Sequence, residues 1–322
     1  MRATSRPARR GPSASRCGWW GPELNNIHAR RRPRRFAVAA SRRGPAGPAD
    51  PAEAGEVRRR AALARLALCV AIAPASSLVF AADAFAADAF EGDPFKSHPW
   101  PDMRREFLGR RARVAFDARV GVLGPAFAED PMNVPISVRV DPTLGRVAEI
   151  VVLVDRNPIR KVLSYEPVLA LPALAFRFKL EQASPVRAAA RLADGRWVVG
   201  GTWVDSAGGG CTVAGASRND GTWSRTLGEV SGKLFTTAPG ASRLRVKIMH
   251  PMDTGLVAGI PAFYLNRLTL RDGDDRELAR LQGFEPLSEN PVFSFDFATP
   301  PRGGVHIVGT DNNGNRIRSR VQ

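Results

Sequence analysis

Val134-Pro-Ile-Ser-Val-Arg-Val140 places an apolar side chain at every second position, with Pro135, Ser137 and Arg139 between them. Side chains of a strand alternate between its two faces, so this stretch predicts a strand with one face in a core and the other toward solvent. Working outward, residues 173–180 alternate in the same way, and Phe293, Phe295 and Phe297 alternate with Ser294 and Asp296. Residues 147–154 are almost unbroken aliphatic, which predicts a strand covered on both faces. Further strand patterns lie at 186–192, 196–204, 244–249, 262–270, 277–281, 305–308 and 317–321. Three turn signals punctuate them: Ala193-Asp194-Gly195, Asp272-Gly273 and Asp311-Asn-Asn-Gly314. Such Asp/Asn-Gly steps supply the positive φ that tight hairpins need. No segment carries the period of a long amphipathic helix. Short strands with turns at about 8–12-residue spacing predict an all-β chain of sandwiches.

At about 100–200 residues per domain, a chain of 322 residues holds two. The net charge of +16 suggests a nucleic-acid binder until its distribution is read. Residues 1–81 hold 16 arginines against 4 acids, and the remaining 31 basic residues face 27 acids. The bulk of the chain is nearly balanced and has no basic stripe interleaved with aromatics, which argues against nucleic acid. The arginine-rich start has a different reading. Arg58-Arg59-Arg60 and Arg65 precede a 15-residue apolar run from Leu66 to Phe80, and small residues follow, with Ala84-Phe-Ala86. A positive region, a short apolar region and small residues at a cleavage site predict a signal peptide over 58–86. The run is shorter than the ~20 residues of a membrane-spanning helix, so no membrane association is expected after cleavage. Cleavage after Ala81 and after Ala86 both fit, and so do general secretion and twin-arginine export. Residues 1–57 hold 12 arginines and 7 prolines without aliphatic periodicity. They read as a disordered or mis-assigned extension, with translation starting near Val57.

Removal of the leader takes Cys17 and Cys69 with it and leaves one thiol, Cys211. It follows Gly208-Gly209-Gly210 in a small, polar stretch over 206–227 that reads as a flexible linker. Glycines remove bulk and permit nearly any backbone angle, so a thiol there is expected to be exposed and able to enter a partner's cleft. Cys211 is thus the candidate covalent carrier, with Gly208, Gly209 and Gly210 as its hinge. Enzyme signatures are lacking. His98, His250 and His306 have no second ligand at metal spacing, so no metal is expected. No nucleotide-binding glycine motif or G-x-S-x-G elbow occurs, so no cofactor and no catalytic residue is assigned. A Cys211–His250 pair depends on folding, and a glycine run is a poor platform for a positioned base.

Several stretches together resemble the SoxY and SoxZ families. Asn133-Val-Pro-Ile-Ser-Val138, Val151-Val-Leu-Val-Asp-Arg-Asn-Pro158, Pro185-Val-Arg-Ala188, Asp194-Gly195 and Gly208-Gly-Gly-Cys211 are similar to SoxY, the sulfur-carrier subunit of the periplasmic thiosulfate-oxidising system. Lys247-Ile-Met-His-Pro-Met-Asp-Thr-Gly255, Asn290-Pro-Val-Phe-Ser-Phe295 and Thr310-Asp-Asn-Asn-Gly314 are similar to SoxZ, its partner subunit. The whole resembles the fused SoxYZ-like carriers associated with quinoprotein dehydrogenases. The resemblance implies a lead-in segment over 87–111, a SoxY-like immunoglobulin-like sandwich over 112–205, the cysteine-bearing linker over 206–227 and a SoxZ-like sandwich over 228–322. It implies two domains that pack on each other and a periplasmic, non-enzymatic carrier presenting a sulfur adduct on Cys211. The implied partners are redox or sulfur-processing enzymes, a quinoprotein dehydrogenase among them. The alternative it leaves is a non-covalent accessory or scaffold of a PQQ-dependent alcohol dehydrogenase system. Two departures stand out: Thr212-Val213 follow the cysteine where the family has glycines, and the chain continues past it.

Overall fold

The computed structural model describes residues 88–322. The expected extension (1–57) and signal peptide (58–86), with Cys17 and Cys69, lie outside the described residues. In chain order the strands of the first half are β1 (Val114–Phe116), β2 (Val120–Leu123), β3 (Phe127–Ala128), β4 (Val134–Val140), β5 (Val147–Val154), β6 (Lys161–Pro167), β7 (Ala173–Phe178), β8 (Ser184–Leu192) and β9 (Trp197–Ser206). Those of the second are β10 (Val230–Ala238), β11 (Ala241–Ile248), β12 (Leu265–Asp272), β13 (Glu277–Gly283), β14 (Val292–Phe297), β15 (Val305–Asp311) and β16 (Arg316–Val321). The all-β sandwich expectation holds. No helix among the described residues is long and apolar enough to cross a membrane.

The strands form two layers. One runs β1-β9-β8-β5-β6-β13-β12-β15-β16, with β3 also paired to β9, and the other runs β10-β11-β14-β7-β4-β2. Both layers pass without a break from one half of the chain to the other. In the first layer β6 pairs with β13 over five residues, with Tyr165 opposite Leu281. In the second, β7 pairs with β14 through Ala175–Ser294 and Leu174–Phe295. The linker is therefore not the only connection, because the two sandwich halves also share main-chain hydrogen bonds edge to edge. One apolar core fills the space between the layers and takes Tyr165 and Phe176 from the first half and Leu281 and Phe295 from the second. Tyr165 sits on the seam, its ring 5.8 Å from that of Phe295, and its hydroxyl donates to the Leu171 carbonyl at 3.0 Å.

The local elements follow from the patterns that predicted them. β4 buries Val134, Ile136, Val138 and Val140 and turns Pro135 and Arg139 outward. β5 is covered on both faces: Val147, Ile150, Val152 and Val154 enter the main core, and Val151 and Leu153 enter a second cluster with Trp100 and Met103. The Asp-Gly and Asn-Gly signals close the antiparallel hairpins β8–β9, β12–β13 and β15–β16, with Gly195 and Gly314 at positive φ.

The second cluster is the work of the lead-in segment. A short helix, α1 (Trp100–Met103), has Pro101 in its first turn and runs on as a π-turn over Arg104–Leu108. One buried cation fastens this segment to the sheet. Arg187 on β8 donates to both oxygens of Asp93 at 2.6 and 2.8 Å and to both oxygens of Asp155 at 2.7 and 2.8 Å. Its guanidinium also lies 4.4 Å from the Trp100 ring centroid. All three ionic side chains are fully buried, so each needs the others.

Removing only the cation strands two carboxylates in the interior. Arg187→Met is therefore expected to lower unfolding stability by about 3–5 kcal/mol in urea titration, whereas adding Asp93→Asn and Asp155→Asn to it recovers most of that loss. Equal stability of the single and triple variants would contradict the ionic account of this contact.

Candidate functional site

Beyond β7 the chain runs on through Lys179-Leu180-Glu181, and here the thiol has its seat. The Lys179 amide donates to the Pro286 carbonyl at 2.6 Å and the Leu180 amide to the Pro131 carbonyl at 2.7 Å. Asn157 closes the gap between, donating its side-chain amide to the Lys179 carbonyl and accepting from the Glu181 amide, both at 2.8 Å. The glycine run then lies along this ledge. Gly209 donates to the Glu181 carbonyl at 3.1 Å and Gly210 to the Leu180 carbonyl at 3.2 Å. The Cys211 amide donates to the Glu181 carboxylate at 2.9 Å, and its thiol faces the Lys179 carbonyl at 3.6 Å.

The second half completes the seat. The Thr254 hydroxyl donates to the Cys211 carbonyl at 2.7 Å, and Lys179 sends its ammonium across the seam to the Met252 carbonyl at 2.5 Å. The rest of the connecting segment folds as α2 (Ala216–Asp220) and α3 (Trp223–Thr226). Glu289 accepts the Ser217 amide at 2.8 Å, and Arg218 pairs with Asp253 at 2.7 Å beneath the Trp223 ring.

The structure thus corrects the expectation of an exposed thiol beside Gly208-Gly209-Gly210. Cys211 is only 1% exposed. In this arrangement Gly208 and Gly210 serve close approach. A Cβ on Gly210 would stand 2.2 Å from the Pro131 oxygen and 2.6 Å from the Leu180 oxygen. Gly208 adopts φ +96° and would bring a Cβ within 2.8 Å of the Glu181 oxygen. Only Gly209, at φ +84°, faces open space. Sequence reading missed Lys179, Glu181, Asn157 and Thr254, since their partners are backbone atoms distant in the chain.

Electrostatics keep the thiol protonated. Burial pushes its pKa up to about 12, the Glu181 carboxylate adds to the rise and the Lys179 ammonium opposes it. Lys179 itself is held below the ordinary lysine value by burial, against the pull of Asp253 and Cys211. His250 is no general base for Cys211. Its Nδ1 accepts the Met252 amide at 3.1 Å, its ring packs tilted against Phe263 with centroids 4.4 Å apart, and its Nε2 lies 3.6 Å from Asp311. Burial lowers its pKa, so it is neutral near pH 7. Among the described residues no group of three or more His, Cys, Asp or Glu side chains is placed to hold a metal ion.

Comparison with known proteins adds the following. A family model for the sulfur oxidation protein SoxY matches residues 104–211, ending on Cys211 itself. One for the sulphur oxidation protein SoxZ matches residues 236–322. Among solved structures, the sulfur carrier protein SoxY from Chlorobium limicola f thiosulfatophilum is 16% identical, over 32% of this chain and 88% of that one, with a TM-score of 0.29. A beta-glycosidase from Bacteroides vulgatus is 9% identical, over 67% of this chain and 25% of that one, with a TM-score of 0.20. Superpositions that weak transfer neither fold nor activity. Curated proteins returned no match.

Two reactivity outcomes follow. At pH 8 native Cys211 is expected to react with iodoacetamide at least about a hundredfold more slowly than in urea-unfolded chain, because so little of it is thiolate. Equal rates would refute the seat. Gly210→Ala must displace main-chain oxygens and is expected to raise the native rate at least about tenfold, whereas Gly209→Ala meets no atoms, bears only about 1–2 kcal/mol of backbone strain and has the smaller effect. The reverse ranking would show that the Gly210 contacts do not hold the thiol in place.

Proposed function

We propose that this chain, which carries a SoxY domain and a SoxZ domain in tandem and so falls within a sulfur-oxidation carrier family, uses Cys211 as the attachment point for a sulfur adduct. The observation that carries this reading is the position of Cys211: it is the last residue of the SoxY match and the only free thiol among the described residues. The chain itself catalyses nothing in this reading; partner enzymes load and process the adduct. It is exported to the periplasm, in keeping with the leader pattern at 58–86. The seat is then the resting state. Loading needs the segment after β9 to lift away from Lys179-Leu180-Glu181, which breaks the bonds from Gly209, Gly210, Thr254 and the Cys211 amide together. Linking the thiol to a second thiol-level sulfur forms one S–S bond and releases two electrons and two protons, which an acceptor on the partner takes up. Lifting also moves the sulfur into water and relieves the burial that holds its proton.

Fusion of the two domains suits this role. Pairing within one chain is not diluted by mass action, so the Thr254 side of the seat is always at hand.

A second reading is favoured by the burial of the thiol: a non-covalent accessory or scaffold of a quinoprotein alcohol dehydrogenase system, in which Cys211 only packs. Intact-mass analysis separates the two. Protein purified without reductant from cells oxidising reduced sulfur is expected to carry sulfur-sized mass increments that Cys211→Ala protein lacks. An unmodified thiol, together with loss of growth on alcohols on gene deletion but not in a Cys211→Ala strain, would replace the carrier with the scaffold.

A further inference from the structure

In the first half the outer face of the β5–β8–β9 layer is covered by the lead-in segment. On the opposite layer, the outer face of β11, β14, β7 and β4 forms a hollow of about 400 Å³ that crosses the seam. Its floor is built from small side chains in register: Arg245 lies beside Ser294, Ser294 beside Ala175 and Ala175 beside Ser137. A second hollow of about 360 Å³ shares that floor and runs on toward Arg139 and Arg243. Neither half forms this surface alone.

The charge of this layer is one-sided. Its six strands carry six basic residues and a single acid, Asp296. Arg243 takes that acid at 2.6 Å, with Arg139 at 3.7 Å. Arg177, Arg245 and Lys247 are exposed, and no carboxylate among the described residues lies within ion-pair distance of them. Arg243, Arg245 and Lys247 occupy alternate positions of β11, with buried Leu244 and Val246 between them. Alternate residues of a strand stand about 7 Å apart on one face, so these cations form a ladder of that repeat. An extended polypeptide displays its own alternate side chains with the same repeat.

We propose that this surface docks an extended acidic segment of a partner protein that runs along β14 over Val292 and Ser294, with carboxylates at alternate positions on Arg245 and Lys247 of the neighbouring β11 and Arg177 as a further contact from β7. The hollow is broad and shallow, unlike the enclosed sites that hold small molecules. Its small-residue floor leaves room for a backbone, and the charge complementarity names the occupant as acidic. The inference does not depend on whether Cys211 carries cargo.

The probe is a fluorescein-labelled 12-residue peptide of alternating Glu and Thr, followed by anisotropy at low salt with the full chain. Arg177→Ser, Arg245→Ser and Lys247→Ser combined are expected to weaken binding at least about tenfold, since exposed pairs contribute little singly and more together. The combination Arg267→Ser, Arg316→Ser and Arg318→Ser makes the same charge change on the outer face of the other layer and is expected to leave binding within about twofold. Both variants are checked for native far-UV circular dichroism, and a misfolded triple variant is replaced by Arg245→Ser alone, which is expected to weaken binding about threefold. No binding by the wild type, or equal loss in the two triple variants, overturns the groove. Displacement by equimolar sulfate reassigns it to a small anion, and equal affinity for a thymidine 12-mer lost in the same variant reassigns it to nucleic acid.

Discussion

Main-chain pairing across the seam is the constraint on which the rest of the molecule depends. β6 on β13 and β7 on β14 turn what could be two sandwiches into two unbroken layers around one core. Strand register is unforgiving: a slip of one residue would send Tyr165 and Phe295 outward and bring polar residues in. The fixed register places the end of β7 beside the loop after β11. Lys179 can then reach Met252, and Thr254 can reach the carbonyl of Cys211. The thiol seat and the basic groove are both products of this one junction.

The seat also shows how a weakly hydrophobic segment becomes ordered. Residues 207–229 offer little apolar surface, so their position rests on directed polar contacts. Each hydrogen bond contributes a net of about 1 kcal/mol, which makes the arrangement collectively firm and individually easy to undo. Under the proposed carrier role, that balance would let the segment open as a local event that leaves the core of the sandwich intact. Arg187 represents the opposite regime. Its two buried carboxylate partners cannot be released without exposing an unpaired charge to the interior, and the lead-in segment is correspondingly fixed.

Local pattern made much of the fold legible. The alternation in β4, the two-sided burial of β5 and the three hairpins follow from period and turn chemistry, which act over a few residues. The seam does not, because nothing in Leu174 or Phe295 announces that they are neighbours. The seat was misread for a related reason. Gly208-Gly209-Gly210 fits both a loose arm and a tight crossing of two backbones, and the decision lies with Pro131 and Leu180, far along the chain. A signal was nevertheless present. The stretches that carry the SoxY and SoxZ resemblance contain Asn157, Thr254, Asp155 and Arg187, the side chains that build the seat and fasten the lead-in segment.

The end of β9 at Ser206 sets a tether length. Cys211 lies five Cα-to-Cα steps beyond it, and a fully stretched chain spans at most about 3.6 Å per step. If the segment lifts, the Cys211 Cα can stand no farther than about 18 Å from that of Ser206, and the sulfur rides at the crest of a loop with two limbs of backbone beneath it. A reaction centre at the bottom of a narrow bore, suited to a single free tail, is beyond its reach. Under the carrier role proposed above, an enzyme that meets this thiol would have to offer an open trench wide enough for both limbs of the loop, close to the rim of its own surface.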